Sequence, residues 1–169
     1  MAAAGNGMRV LRHVVTDHAS VRRVFPSRDL SRVEAAIASG EQRHRGQVCV
    51  AIEGALPAGR VFRRMHPRER ALEVFGLLRV WDTEENCGVL LYLLLADHDV
   101  EIIADRAIHR VVGDDAWREI CARMEAAFAD GRFADGLVAG VNEISALLAQ
   151  HFPRKGAGSN ELPDRPVIL

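Results

Sequence analysis

Eight consecutive apolar residues, Val89 to Ala96, follow Gly88 and form the longest unbroken apolar run of the chain. The run is too short for a bilayer, which needs about 20 residues, and suits a strand buried on both faces. Asp97-His98-Asp99 then supplies turn chemistry, and Val100-Glu-Ile-Ile-Ala104 reads as a second strand. The pattern therefore predicts a buried hairpin over 88–104. An acidic segment, Asp82-Thr-Glu-Glu-Asn86, leads into it.

Upstream, residues 8–25 predict a short amphipathic helix docked on the domain. Leu30, Val33 and Ile37 form one stripe of a helix over about 28–44, with Ser31 and Glu34 spaced as a capping box. Gln47 to Glu53 reads as a buried strand, and 54–59 as a loop carrying Pro57. His66 precedes Pro67 at the start of a helix that places Ala71, Val74, Phe75 and Leu78 on one face. Strand, helix and strand in that order imply a right-handed crossover, with 47–53 parallel to 88–96. The hairpin adds an antiparallel neighbour, so the sheet is mixed.

Two helices close the chain. Asp114 is an expected N-cap for the first, whose inner face carries Trp117, Ile120, Cys121, Met124 and Phe128. The second carries Phe133, Leu137, Val141, Ile144, Leu148 and Phe152, and Pro153 stops it. Residues 1–25 are thus an N-terminal segment, 26–153 the domain, and 154–169 an extended tail.

Composition is that of a globular domain, with 49% hydrophobic and 27% charged residues. Before residue 81 there are 14 arginines and 7 acids, against 8 basic residues and 16 acids after it. No aromatic residues interleave with the arginines as a stacking surface for nucleic acid would require, so no nucleic-acid partner is expected. Cys49, Cys87 and Cys121 stand singly, without zinc or redox spacing, and Cys49 and Cys121 fall on apolar faces. With no h-region and no segment of transmembrane length, the expected location is the cytoplasm.

The strand 47–53, the helix after Pro67, Asn86-Cys87-Gly88-Val-Leu, the acidic turn, Val100-Glu-Ile and two helices ending His151-Phe152-Pro153 together resemble the TPM domain. This family occurs in bacterial and thylakoid-lumen proteins, and the tail Asn160-Glu-Leu-Pro-Asp-Arg-Pro resembles a soluble bacterial branch. The resemblance implies a three-layer α/β/α sandwich around a small mixed sheet. It also implies calcium binding in some relatives and acid-phosphatase activity in others. Relatives commonly carry Asn-Asn-Gly where this chain has Asn86-Cys87-Gly88, Arg where it has His98, and Gly-x-Gly where it has Asp105 and Ala107.

Antiparallel pairing brings the start of the first hairpin strand and the end of the second to one rim. Glu84, Glu85, Asn86 and Asp105, with Asp82 nearby and Asp114 and Asp115 opening the next helix, form a set of hard oxygen donors suited to calcium or magnesium. These six, Glu84 to Asn86, Asp105, Asp114 and Asp115, are the expected metal site; without an ion they would be solvated loop acids and helix caps. The other end holds Asp97, His98, Asp99 and Glu53, where turn geometry accounts for the histidine. The chain shows no nucleophile elbow, phosphate-binding loop or His-Glu-x-x-His, and no organic cofactor is expected. Two functions stand side by side: cation-assisted hydrolysis of a phosphate monoester, and a non-enzymatic module for a protein partner or a membrane-associated assembly.

Overall fold

The computed structural model describes residues 2–154, 156 and 160–169, with side chains from residue 7 onward. Its helices in chain order are α1 (Ala2–Val15), α2 (His18–Val24), α3 (Ser27–Glu41), α4 (Ala58–Phe62), α5 (Pro67–Leu77), α6 (Arg106–Val112), α7 (Asp114–Ala129) and α8 (Phe133–His151). The strands are β1 (Gln47–Glu53), β2 (Gly88–Leu94), β3 (Asp99–Ala104) and β4 (Val167–Ile168), in sheet order β3-β2-β1-β4. β1 runs parallel to β2, with Gln47 opposite Gly88, and β2 runs antiparallel to β3, with Val89 opposite Ala104. The mixed sheet of the sequence reading is thus present.

Every residue of β1 and β2 is buried, because helices cover both faces of the sheet. Val48, Val50, Leu91, Leu93 and Ile102 point to one side, against Ile37 of α3, Ile120 of α7 and Ile144 of α8. Cys49, Ala51, Leu90, Tyr92 and Ile103 point to the other, against Val61 of α4 and Ala71 and Val74 of α5. This alternation makes the three-layer α/β/α sandwich, and each fully buried large apolar side chain contributes about 2 kcal/mol. α3 and α8 approach closely at Gly40, where a Cβ would lie 2.2 Å from Ser145 Oγ.

Several expected boundaries move. The N-terminal segment forms two helices, and Asp17 caps the second by accepting from the Ser20 amide at 2.8 Å. α3 begins at Ser27 behind Pro26, so Ser31 and Glu34 lie inside the helix and form no capping box; the fixed proline φ starts the helix earlier than the side-chain pattern. Asp114 is the first helical residue of α7, whose N-cap is Gly113 at φ +79°, so its carboxylate meets the helix dipole without capping it. The expected loop 54–59 contains the start of α4, and β2 gives way at Leu95 to a 3-10 turn. Cys121 is only partly buried.

The tail returns to the sheet. Gln47 Oε1 accepts from the Glu161 and Leu162 amides at 2.7 and 3.3 Å, and Ala51 and Ile52 then pair with Val167 and Ile168 of β4.

Glu41, at the end of α3, is buried and accepts from the Val48 amide at 2.8 Å. Desolvation, with the Asp164 charge adding to it, pushes its pKa up to about 7. A folded-state pKa above the unfolded one means that the native state binds the extra proton, so this contribution to stability is lost as pH rises from about 4.5 through 7. Glu41→Gln keeps an acceptor for Val48 without the charge. Its melting temperature relative to the wild type should therefore be higher at pH 8 than at pH 5, as calorimetry at the two pH values would show; an unchanged or reversed difference contradicts the assignment.

Candidate functional site

At one end of the hairpin, the start of β2 meets the end of β3. The Asp105 amide donates to the Gly88 carbonyl at 2.9 Å, which fixes Asp105 directly beside the mouth of β2. The preceding loop is braced by Thr83, whose Oγ1 accepts from the Cys87 amide at 3.0 Å and whose carbonyl accepts from the Asn86 amide at 3.0 Å. Asn86 sits at φ +49°, a left-handed conformation that asparagine tolerates better than most residues.

The acids of this rim have separate partners. Glu85 pairs with Arg45, from the loop between α3 and β1, and Asp82 pairs with Arg79. The Glu84 amide donates to the Glu161 carboxylate of the tail at 2.9 Å, which brings a further acid to the rim that sequence reasoning did not foresee. Asp105 Oδ1 accepts from the Arg106 amide at 2.7 Å, capping α6, whereas its Oδ2 is buried without a partner among the described residues. Asp114 and Asp115 lie beyond α6, a helix about 10 Å long. Asp114 is 3.6 Å from His109 and Asp115 pairs with Arg118. Among the described residues, no group of three or more His, Cys, Asp or Glu is gathered in a metal-holding arrangement.

The other end of the hairpin is knitted to the rest of the chain. His98 adopts φ +54° and sets its ring edge-to-face against Phe133 at 5.1 Å, as a turn residue. Asp97 accepts from Arg9 of α1 at 2.9 Å and lies 3.2 Å from His13 Nε2. Burial alone would raise the Asp97 pKa, but Arg9 and His13 bring it below the ordinary value. Glu53, at the carboxyl end of β1, accepts from Tyr92 Oη at 2.7 Å and from Arg70 Nε and Nη2 at 2.8 and 3.1 Å. Register could have signalled this group, because Tyr92 lies opposite Ala51, on the same face as Glu53 two residues on.

The thiols and one buried imidazole are tuned away from reactivity at neutral pH. Burial pushes the Cys49 and Cys87 thiols up to about 11 and Cys121 up to about 12. His44, overlooked in the sequence, is buried with Nδ1 3.0 Å from the Gly46 carbonyl, and desolvation lowers its pKa to about 4.

A three-layer sandwich with this strand order, an Asn-x-Gly start to β2 and two closing helices defines a class, and comparison with family models makes the same match: the TPM domain model covers residues 15–147. The chain belongs to the TPM domain family. Among solved structures, it is similar to the NMR structure of BA42 protein from the psychrophilic bacterium Bizionia argentinensis, with 28% sequence identity and a TM-score of 0.75 over 85% of this chain and 94% of that one. A search of curated proteins finds no match. Among the described residues, no helix is long and apolar enough to cross a membrane.

Proposed function

We propose that this TPM domain is a binding module, and that its acidic rim takes calcium or magnesium through Asp105, Glu84, Glu85 and Asn86. The observation that carries this reading is Asp105 Oδ2, a buried carboxylate oxygen with no partner, set by the backbone beside Gly88. An orphaned buried acceptor is costly, and a hard cation satisfies it. The residues fit such an ion in donor chemistry, since all offer oxygen and none sulfur. Asp114 and Asp115, tied locally to His109 and Arg118, would contribute only through the field of the rim.

A bound ion would supply electrostatic neutralisation of the rim and could polarise a phosphoryl oxygen. The chain's own groups favour binding over hydrolysis, because its thiols are held protonated and His44 is buried and neutral.

Titration with calcium and with magnesium up to about 10 mM, above the range of weak protein sites, should shift the amides of 84–88 and 104–106 in one saturable phase. Asp105→Asn should abolish that phase while leaving the remaining amide spectrum in place. Wild-type amides that stay unmoved, or that move without saturating, sink the cation reading. Turnover of p-nitrophenyl phosphate that disappears in Asp105→Asn would replace binding by hydrolysis.

A further inference from the structure

A groove of about 570 Å³ runs along β3, walled by Arg68 of α5 on one side and by α7 on the other. It takes in the whole length from Val100 to Ala104 and reaches His109 and Asp114 at its far end, without Glu84, Glu85, Asn86 or Asp105 in its lining. Among the described residues, β3 is an edge strand, paired with β2 alone. Because the Asp105 amide points inward to Gly88, ladder alternation turns the backbone groups of Val100, Ile102 and Ala104 outward, into the groove.

Side chains of α7 stand where a neighbouring strand would be. The Val100 amide is met by the Glu125 carboxylate and the Ile102 amide by the Cys121 sulfur. Further along, Trp117 lines the groove at 5% exposure, and its Nε1 is buried with no acceptor among the described residues. An occupant entering as a strand would replace these two side-chain acceptors with its own carbonyls, at the two-residue repeat of a strand, and would offer a further one to the indole. Peptide backbone has that repeat, and small molecules do not.

The two ends of the groove differ. Glu101 and Glu125 line the Val100 end, and Asp99 lies just before it on β3, its Oδ1 buried without a partner among the described residues. Burial, with Glu101 and Glu125 adding to it, pushes the Asp99 pKa up to about 7. Arg68 compensates Glu101 at 3.1 Å. A peptide carbonyl that takes over the Val100 amide releases Glu125 for a cation.

We propose that this groove binds an extended peptide as an added strand on β3, with a lysine or arginine of the peptide seated at the Asp99, Glu101 and Glu125 end. The strand adds backbone hydrogen bonds to Val100 and Ile102, one carbonyl accepts from Trp117 Nε1, and the basic side chain answers the carboxylates.

The probes are acetyl-Thr-Val-Lys-Val-Thr-amide and its counterpart with glutamate for lysine, each titrated to about 5 mM against the labelled full chain, a range that detects weak affinities. The lysine peptide should move the amides of 100–104 and the Trp117 indole N–H together, and the glutamate peptide should leave them in place. Trp117→Phe, which keeps a six-membered aromatic ring but removes the indole N–H, should weaken binding roughly fivefold to tenfold. Ala122→Arg, at an exposed position of α7 lining the groove, should abolish it with the rest of the spectrum intact. Equal shifts with both peptides, shifts that spare the indole, or silence at 100–104 overturn the proposal. The rim is read apart from the groove at the amides of 84–88 and 105–106, since that of 104 borders both.

Discussion

Gly88→Ala is expected to be among the most damaging single-methyl additions in the chain, at about 3 kcal/mol or more. A Cβ built there would lie 1.9 Å from the Val80 carbonyl oxygen and 2.9 Å from its carbon. The obstacle is backbone just after α5, so no rotamer change relieves it. Gly88 starts a fully buried strand and is hydrogen-bonded to Asp105, so displacement of either neighbour disturbs the core and the rim together. With typical domain stabilities of about 5–15 kcal/mol, such a loss lowers the melting temperature by roughly 6–12 °C at this size. Gly76→Ala is the control: that helical glycine is exposed with nothing within 4 Å of its Cβ, and alanine there should be neutral or stabilise by up to about 1 kcal/mol. Calorimetry on the two variants tests the contrast. A Gly88→Ala protein that melts with the wild type would mean that the close approach of α5 to β2 is absent in solution.

The hairpin was legible because an eight-residue apolar run bounded by turn residues leaves little choice but a doubly covered strand. Antiparallel register then placed Asp105 beside Gly88 without further information. Other elements lacked such a signal. β4 has two residues, too few for any period, and is built by Gln47 and the ladder of β1 rather than by its own pattern. α6 is seven residues long with one buried position, Ile108, so it carries no stripe. α1 shows its inward face only through what it meets, as Arg9 does at Asp97, 88 residues away. The rim divides in the same way. Sequence located the acids, but the partners that decide their chemistry are distant: Arg45 is 40 residues from Glu85, and Glu161 is 77 from Glu84.

Glu53→Ala should be as costly, at about 4 kcal/mol, for an electrostatic reason instead of a steric one. The Glu53 side chain is 9% exposed and Arg70 only 17%, and Tyr92 is fully buried. Removing the carboxylate leaves the buried Tyr92 phenol without its acceptor and Arg70 with Glu73, 3.0 Å away at the surface, as its remaining carboxylate partner. The Glu53 carboxylate raises the Arg70 pKa, and burial followed by Glu53 raises that of Tyr92. Replacing all three, as Glu53→Leu with Arg70→Met and Tyr92→Phe, should cost less than Glu53→Ala alone, because no polar group is left unsatisfied. Glu73 would keep its pairing with Arg60 in that variant. Urea unfolding of both proteins decides the matter. Additive losses, or a Glu53→Ala cost below about 1 kcal/mol, would mean that the group is solvated. The prediction bears on function because ligands of open α/β sheets commonly sit beyond the carboxyl ends of parallel strands. Here that end of β1 is filled by the chain's own Glu53, Arg70 and Tyr92, with α1 fastened to the adjacent turn through Asp97. Binding chemistry at that end would have to break a buried ion pair first, whereas the rim at Asp105 and the groove along β3 present oxygen and backbone groups that a ligand reaches without that cost.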